Sequence, residues 1–370
     1  MKQLAFIARL LLLIFTLACG AQAATSPVNL AIVGLTHDHA MGFLPRLQDQ
    51  RDVRLVGIVE TNSALIERYA RRFKLAPGLF FPSLEMLLKQ TPAQTVATFT
   101  STYDHLQVVE SCATHGIDVM MEKPLAVNMI HAHRMADAAR RGHIQVIVNY
   151  ETTWYPGNQA AYAIALDQHA IGDIRKIVVH DGHCGPKEIG CSSFFLSWLT
   201  DPLLNGGGAL NDFGCYGANL STWLMRGQRP TSVFAVTQQL KPALYPKVED
   251  EATLILTYPG AQTIIQASWN WPFDRKDLEI YGQTGSICVP KPGVLRLRTG
   301  KTQPEIEQTP PSPAAPWSDP LSYLAAVVRR QIQPAGLSSL AVNLIVTEIL
   351  DAAHESARQG RRIDLDSLPK

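Results

Sequence analysis

Short runs of Val, Ile, Leu and Met recur along the first part of the chain, at 29–33, 53–59, 95–99, 117–121 and 144–148. Between them, 40–48, 62–73, 83–90, 105–114 and 128–141 carry the longer spacing of helices that hide one face. Such alternation predicts an α/β domain: a Rossmann-type, doubly wound parallel sheet with helices on both faces. Past residue 150 the rhythm changes. Strand-like runs at 174–180, 232–239, 252–258, 262–270 and 277–281 follow one another with few helices between, which predicts an α+β domain with a large, mostly antiparallel sheet. A helix over 209–225 is expected to cover one face of that sheet. Ala341, Leu344, Ile345, Ile349, Ala352 and Ala353 repeat at helical spacing, and this last helix is expected to pack back on the first domain. Five prolines between 309 and 320 mark an extended surface connection. The expected divisions are therefore 27–149, 150–338 and a returning segment, 339–370.

Lys2 and Arg9 precede an apolar run from Leu10 to Leu17, and Ala21-Gln22-Ala23 supplies small residues for cleavage. Residues 1–23 thus read as a secretory signal peptide, and the mature protein as periplasmic. The apolar run is too short for a permanent membrane span, and no later segment reaches that length. The chain's 370 residues, 46% hydrophobic and 18% charged, exceed what one core usually serves and exclude a disordered chain. Thirty-three basic against 32 acidic residues exert no net pull on nucleic acid or an anionic membrane. Of six cysteines, Cys19 leaves with the signal peptide. The odd remainder excludes a disulfide-stapled scaffold, no zinc spacing is present, and Cys184 and Cys191 are expected as thiols.

The first strand runs into Gly34-Leu35-Thr36-His37-Asp38-His39 and then a helix, where a dinucleotide's pyrophosphate meets helix N-terminal amides. Thr36 and His39 stand where the second and third glycines of G-x-G-x-x-G belong. Gly34, Leu35, Thr36 and His37 are therefore candidate cofactor contacts by location rather than by motif. His37 and His39 are read as turn residues that replace a glycine loop, not as metal ligands. Glu60 closes the second strand, where an acidic side chain accepts from both ribose hydroxyls and repels a 2′-phosphate. NAD is favoured over NADP.

Glu122-Lys123-Pro124 follows the run 117–121 and puts an ammonium at the carboxyl edge of a parallel sheet, where ligands of such folds gather. Lys123 there can stabilise a developing alkoxide. The segment Gly206-Gly207-Gly208-Ala209-Leu210-Asn211-Asp212-Phe213-Gly214-Cys215-Tyr216-Gly217-Ala218-Asn219 places three glycines before Asp212, Tyr216 and Asn219, which share one helical face. Taken with Thr100, His105, Tyr281-Gly282-Gln283-Thr284-Gly285 and Ser356-Ala357-Arg358-Gln359-Gly360-Arg361-Arg362, these motifs span nearly all of the mature chain. On them it resembles the Gfo/Idh/MocA family of dehydrogenases, the relatives of glucose-fructose oxidoreductase and inositol dehydrogenase. The resemblance implies nicotinamide in the first domain, with Thr100, His105 and Glu122 beside it, and a substrate carbon surrounded by Lys123, Asp212 and Tyr216. It also implies a homo-oligomer formed through the open face of the second sheet. Many members carry an acidic residue where Asn219 stands, so Asn219 is expected to hydrogen-bond the substrate.

Hydride transfer from an alcohol needs a group that takes the hydroxyl proton. Tyr216 is the expected base, its phenol brought down from a pKa of about 10 by the Lys123 ammonium. Lys123 is the alternative base, and Asp212 orients the pair or a substrate hydroxyl. Trp154 and His183, where the second domain begins, are expected to contact a sugar. The sequence thus points to an NAD-dependent oxidoreductase acting on a secondary hydroxyl or ketone of a sugar or glycoside. Two alternatives stand beside it: a glycosidase that transiently oxidises its substrate with retained NAD, and a non-catalytic sugar-binding protein.

Overall fold

The computed structural model describes residues 26–365, so the expected signal peptide lies outside the described residues. Six strands, β1 (Val28–Val33), β2 (Val53–Val59), β3 (Phe80–Phe81), β4 (Thr95–Thr98), β5 (Asp118–Glu122) and β6 (Val146–Asn149), form a parallel sheet ordered β3-β2-β1-β4-β5-β6. Helices α1 (Ala40–Gln48), α2 (Ser63–Phe73), α3 (Leu84–Gln90), α4 (His105–Ala113) and α5 (Met129–Gly142) make the crossovers. Leu30, Ile32, Val96, Val119 and Ile147 are all buried, because helices cover both faces, and this is why the strands read as unbroken apolar runs. Asn62 and Asn128 cap α2 and α5 by accepting backbone amides of the first turn. The strand order reverses between β1 and β4, which opens a crevice at their carboxyl ends.

After α6 (Pro156–Tyr162) comes the second sheet, with strands β7 (Ile174–Gly182), β8 (Ser232–Gln238), β9 (Glu251–Thr257), β10 (Gln262–Ser268), β11 (Arg275–Gly282), β12 (Ser286–Lys291), β13 (Val294–Arg298), β14 (Ile306–Gln308) and β15 (Ile363–Asp364). Their order is β14-β13-β12-β11-β7-β10-β9-β8-β15, antiparallel except for the parallel pair β7 and β10. The sequence pattern does not reveal β12 to β14, which are short, lie at one edge and are interrupted by Pro290, Pro292 and Gly293. Between β7 and β8 run α7 (Ser193–Leu199), α8 (Pro202–Asn205), α9 (Ala209–Asp212) and α10 (Gly214–Leu224). The single helix expected over 209–225 is thus two, parted at Phe213 (φ −114°, ψ −29°).

The chain then returns to the first sheet earlier than expected. Helix α11 (Pro320–Val328) buries Leu321, Leu324 and Val327 in one cluster with Leu30, Ile32 and Ile58. Behind it, Arg330 Nη2 donates to the buried Asp118 carboxylate at the start of β5 (3.1 Å). Helix α12 (Leu340–Gln359), expected to lie on the first domain, straddles the seam: it packs on α5 and β6 on one side and on β8 and α10 on the other. Helical spacing shows that a face is buried, not what buries it. Among the described residues, no helix is long and apolar enough to cross a membrane. The five described cysteines are free thiols, Cys184 and Cys191 included.

Helix α10 can approach the sheet because of Gly217, where a Cβ would come within 2.5 Å of Ile265 Cγ2 on β10. Gly217→Val is expected to force the two apart and lower the unfolding free energy by about 1–3 kcal/mol, read as a lower urea midpoint. An unchanged midpoint would contradict this account of the packing.

Candidate active site

Gly34 follows β1 with φ +77°, and a Cβ there would lie 2.5 Å from Thr100 Cγ2, so only glycine fits this turn. Three amides of the loop after Gly34 bond within the protein. Leu35 N–H donates to Glu60 Oε2 (3.0 Å), His37 N–H to the Phe99 carbonyl (3.0 Å) and His39 N–H to His37 Nδ1 (3.1 Å). Thr36, a candidate cofactor contact by location, turns its hydroxyl to the Phe99 carbonyl (3.4 Å), and its own carbonyl accepts from Trp198 Nε1 (3.5 Å). His37 is buried, its ring 4.6 Å from Phe195 and 5.3 Å from Trp198. Helix α7 therefore forms a wall over the loop, fastened where the Ser192 amide and hydroxyl each donate to the Asp38 carboxylate at 2.7 Å. No motif marks Ser192, Asp38 or Phe195 for this role; the contact joins residues more than 150 positions apart.

Glu60 stands at the end of β2 as expected, and its carboxylate accepts from the amides of Leu35, Thr61 (2.9 Å) and Asn62 (2.8 Å). A carboxylate offers about four acceptor positions, so room remains for a ribose hydroxyl. Val33, Val59, Thr100 and Asp104 line a cavity of about 790 Å³ at the carboxyl ends of β1, β2 and β4. The glycine cradle, the strand-end carboxylate and this cavity fit the adenosine half of a dinucleotide. His105 does not take the expected cofactor contact. It is buried, donates Nδ1–H to the Leu125 carbonyl (3.2 Å) and keeps Nε2 away from solvent, so it braces the turn that carries Lys123.

Lys123 and Asp212, contributed by different domains, meet in a buried ion pair. Lys123 Nζ donates to Asp212 Oδ1 (2.5 Å) and to the Asp212 carbonyl (2.9 Å), while Trp269 Nε1 donates to Asp212 Oδ2 (2.9 Å). Burial works against both charges, yet each partner outweighs it: Asp212 holds the ammonium above its ordinary pKa, and Lys123, then His183, hold the carboxyl below its own. Lys123 is thus a fixed ammonium rather than the alternative base. Tyr216 lies beside it, with Lys123 Nζ over its ring 5.0 Å from the centroid and Lys276 Nζ at 5.5 Å. The expected lowering of the Tyr216 phenol does not occur. Burial, followed by the nearby Glu151, pushes it well above its ordinary value. The cations face the ring, and desolvation of the phenolate outweighs their attraction.

His183 joins this cluster at the end of β7, its ring 4.9 Å from Phe213. Its Nδ1 accepts the Gly185 amide (2.9 Å), so the neutral ring carries its proton on Nε2 as a donor; burial lowers its pKa, against the pull of Asp212. Two other expected substrate contacts are not at the site. Asn219 is fully buried and donates to the Leu337 carbonyl (2.9 Å), so its amide is spent within the fold rather than on a substrate. Trp154 donates Nε1 to Asn149 Oδ1 (2.9 Å) and lines a different cavity. The sequence also gives no hint of Lys276, an unremarkable strand residue paired with Glu151.

Tertiary structure brings a carboxylate to the two loop histidines. Glu122 Oε2 meets His39 Nδ1 (2.9 Å) and Oε1 accepts from Asn149 Nδ2 (3.0 Å); burial raises the Glu122 pKa, but His39 and then Asn149 hold it below its ordinary value. Donor atoms of His37, His39 and Glu122 lie within 4.8 Å of one another. His37 Nδ1, however, already accepts the His39 amide, so the neutral ring's other nitrogen bears the proton and neither has a lone pair for a cation while that bond stands. The trio presents hydrogen-bonding groups to the crevice, not a formed metal centre.

A nucleotide crevice at the switch point of a parallel sheet, with a buried ammonium and a phenol where the second domain closes on it, defines an NAD-binding oxidoreductase that acts on CH–OH groups. Residues 28–150 match the model of the oxidoreductase family with an NAD-binding Rossmann fold, and 161–288 match the GFO/IDH/MocA C-terminal domain. The chain belongs to the GFO/IDH/MocA family. It is 25% identical over 323 residues to trans-1,2-dihydrobenzene-1,2-diol dehydrogenase of Xenopus tropicalis, covering 85% of this chain and 92% of that one. It is 24% identical over 343 residues to D-apiose dehydrogenase of Rhizobium rhizogenes, covering 86% and 93%. The crystal structure of aldose-aldose oxidoreductase from Caulobacter crescentus, complexed with glycerol, superposes with a TM-score of 0.78 at 22% identity, over 92% of this chain and 100% of that one.

Burial lowers the His105 pKa to about 4, against an ordinary 6.5, with the Leu125 carbonyl opposing. The unfolded chain therefore binds the proton first as pH falls. The stability from keeping this ring neutral is whole above about pH 6.5 and is lost down to about pH 4, by on the order of 3 kcal/mol. His105→Asn is expected to flatten that part of the stability-against-pH curve, measured by urea unfolding. A wild-type slope in the variant would sink the assignment.

Proposed function

We propose that this protein is an exported oxidoreductase that moves hydride to or from the secondary hydroxyl or ketone carbon of a sugar or glycoside. The observation that carries the reading is the buried Lys123–Asp212 pair with Tyr216 against it, at the crevice edge. The sugar-acting names of D-apiose dehydrogenase and aldose-aldose oxidoreductase support the substrate class. Export is supported by the cationic, apolar and small-residue succession over residues 1–23. NAD, when bound, supplies the hydride acceptor or donor. Lys123 donates to the substrate oxygen and stabilises negative charge developing there, while Asp212 keeps the ammonium charged and aimed. Tyr216 holds its proton at rest, which suits it to give that proton to a ketone oxygen during reduction; His183 Nε2–H adds a second donor.

One feature favours cofactor retention over free exchange. Helix α7 closes over the loop through Ser192 and Trp198, so departure of a bound dinucleotide requires these contacts to part. Retention fits both a dehydrogenase that recycles hydride between two sugars and a glycosidase that oxidises its substrate transiently. Denaturing the purified protein is expected to release nicotinamide dinucleotide in near-stoichiometric amount, and net hydrolysis of a glycoside without added NAD would select the glycosidase. Lys123→Ala and Tyr216→Phe are each expected to reduce turnover at least about ten-fold, in keeping with the usual worth of a positioned proton donor. Wild-type rates in both would end the assignment.

A further inference from the structure

Asp212 is the last residue of α9, a helix of only four residues. One turn is not stable by itself in water, so the contacts that fix its rotation also fix where the Asp212 carboxylate points. Glu249, just before β9, holds the start of the turn. Its Oε1 accepts the amides of Gly208 (2.8 Å) and Leu210 (3.1 Å), and its carbonyl accepts the amide of Ala209 (3.0 Å). These bonds anchor one end. The other end is held through Asn211, the neighbour of Asp212, which is 1% exposed and has both ends of its amide committed. Its Nδ2 donates to the Asn205 carbonyl (2.9 Å), and its Oδ1 accepts from His354 Nε2 on α12 (2.5 Å).

Asn205 is buried too, and it is fixed from the first domain: Thr102 Oγ1 donates to its Oδ1 (3.1 Å), while its Nδ2 donates to the Gly207 carbonyl (2.8 Å). The glycine run ahead of α9 makes room for this network. A Cβ on Gly207 would come within 2.6 Å of His354 Cε1, and one on Gly208 within 2.0 Å of the Glu249 carbonyl oxygen. We propose that Asn211 and His354 are positioning residues, which fix the roll of α9 and so hold the Asp212 carboxylate between Lys123 Nζ and Trp269 Nε1. His354 acts through Asn211, and Asn211 through the backbone it shares with Asp212. Removing either side chain leaves buried polar groups unpaired and frees the turn. The inference rests on the reading that Asp212 serves the reacting centre, but the aim of the carboxylate is read without turnover, so either can fail alone.

The readout is the Trp269 indole N–H, which donates to Asp212 Oδ2 (2.9 Å). In the full chain carrying isotope-labelled tryptophan, the NMR signal of Trp269 is the one that vanishes in Trp269→Phe, and Asp212→Ala gives its position without the bond. Asn211→Leu and His354→Ala are each expected to move the signal toward that position, because the charge-assisted bond to Asp212 is weakened. His354→Gln, whose amide can still donate to Asn211 Oδ1, is expected to restore the wild-type position. A residue that only stabilised the fold would lower the urea midpoint and leave the signal of the folded protein in place. A wild-type position in either variant that folds overturns the proposal, and so does His354→Gln moving the signal as far as His354→Ala. Loss of the fold in both overturns it as well, since the network would then hold the fold rather than aim the carboxylate.

Discussion

The ion pair between Lys123 and Asp212 is the constraint around which the two domains are arranged. Each charge has left water, and each would be strongly unfavourable alone in this interior. They persist because the geometry is complete: the ammonium reaches both a carboxylate oxygen and a carbonyl of Asp212, and the other carboxylate oxygen is held by Trp269. Since Lys123 follows β5 and Asp212 ends α9, this satisfaction exists only when the domains are docked. The candidate active site and the domain interface are therefore one object, and the ammonium's permanence follows from the same contacts that join the two domains.

Once the lysine is fixed as a cation, the surrounding groups take complementary roles. Tyr216 keeps its proton at rest in a dry site, and His183 carries its own on Nε2, so the centre is rich in donors. Donors stabilise an oxygen that is becoming negative, as a ketone oxygen does when its carbon accepts hydride; the reverse direction also needs a group to take the hydroxyl proton.

The nucleotide loop illustrates how a lost motif is compensated. Glycines at the positions of Thr36 and His39 would leave backbone amides open to phosphate. Here Leu35, His37 and His39 direct theirs to Glu60, Phe99 and His37, and α7 covers the result. The loop is rigid by virtue of its own hydrogen bonds.

The amino-acid sequence by itself determined the two sheets in outline, the switch-point crevice, Gly34 at the turn and Glu60 at its strand end, each of which depends on local periodicity or on a motif short enough to be read along the chain. The partnership of Lys123, Asp212 and Tyr216 was implied by the family resemblance and not by spacing. Tertiary structure decided the rest. It spent the Asn219 amide on the Leu337 carbonyl, turned Trp154 into another cavity, and laid α11 on the first sheet while α12 spans both domains. It brought Glu122 to His39 across 83 positions and Ser192 to Asp38 across 154. It also reversed the expected ionisation of Tyr216, because the sign of a pKa shift is a balance between desolvation and charge that depends on depth and direction in three dimensions, and neither is written in residue order.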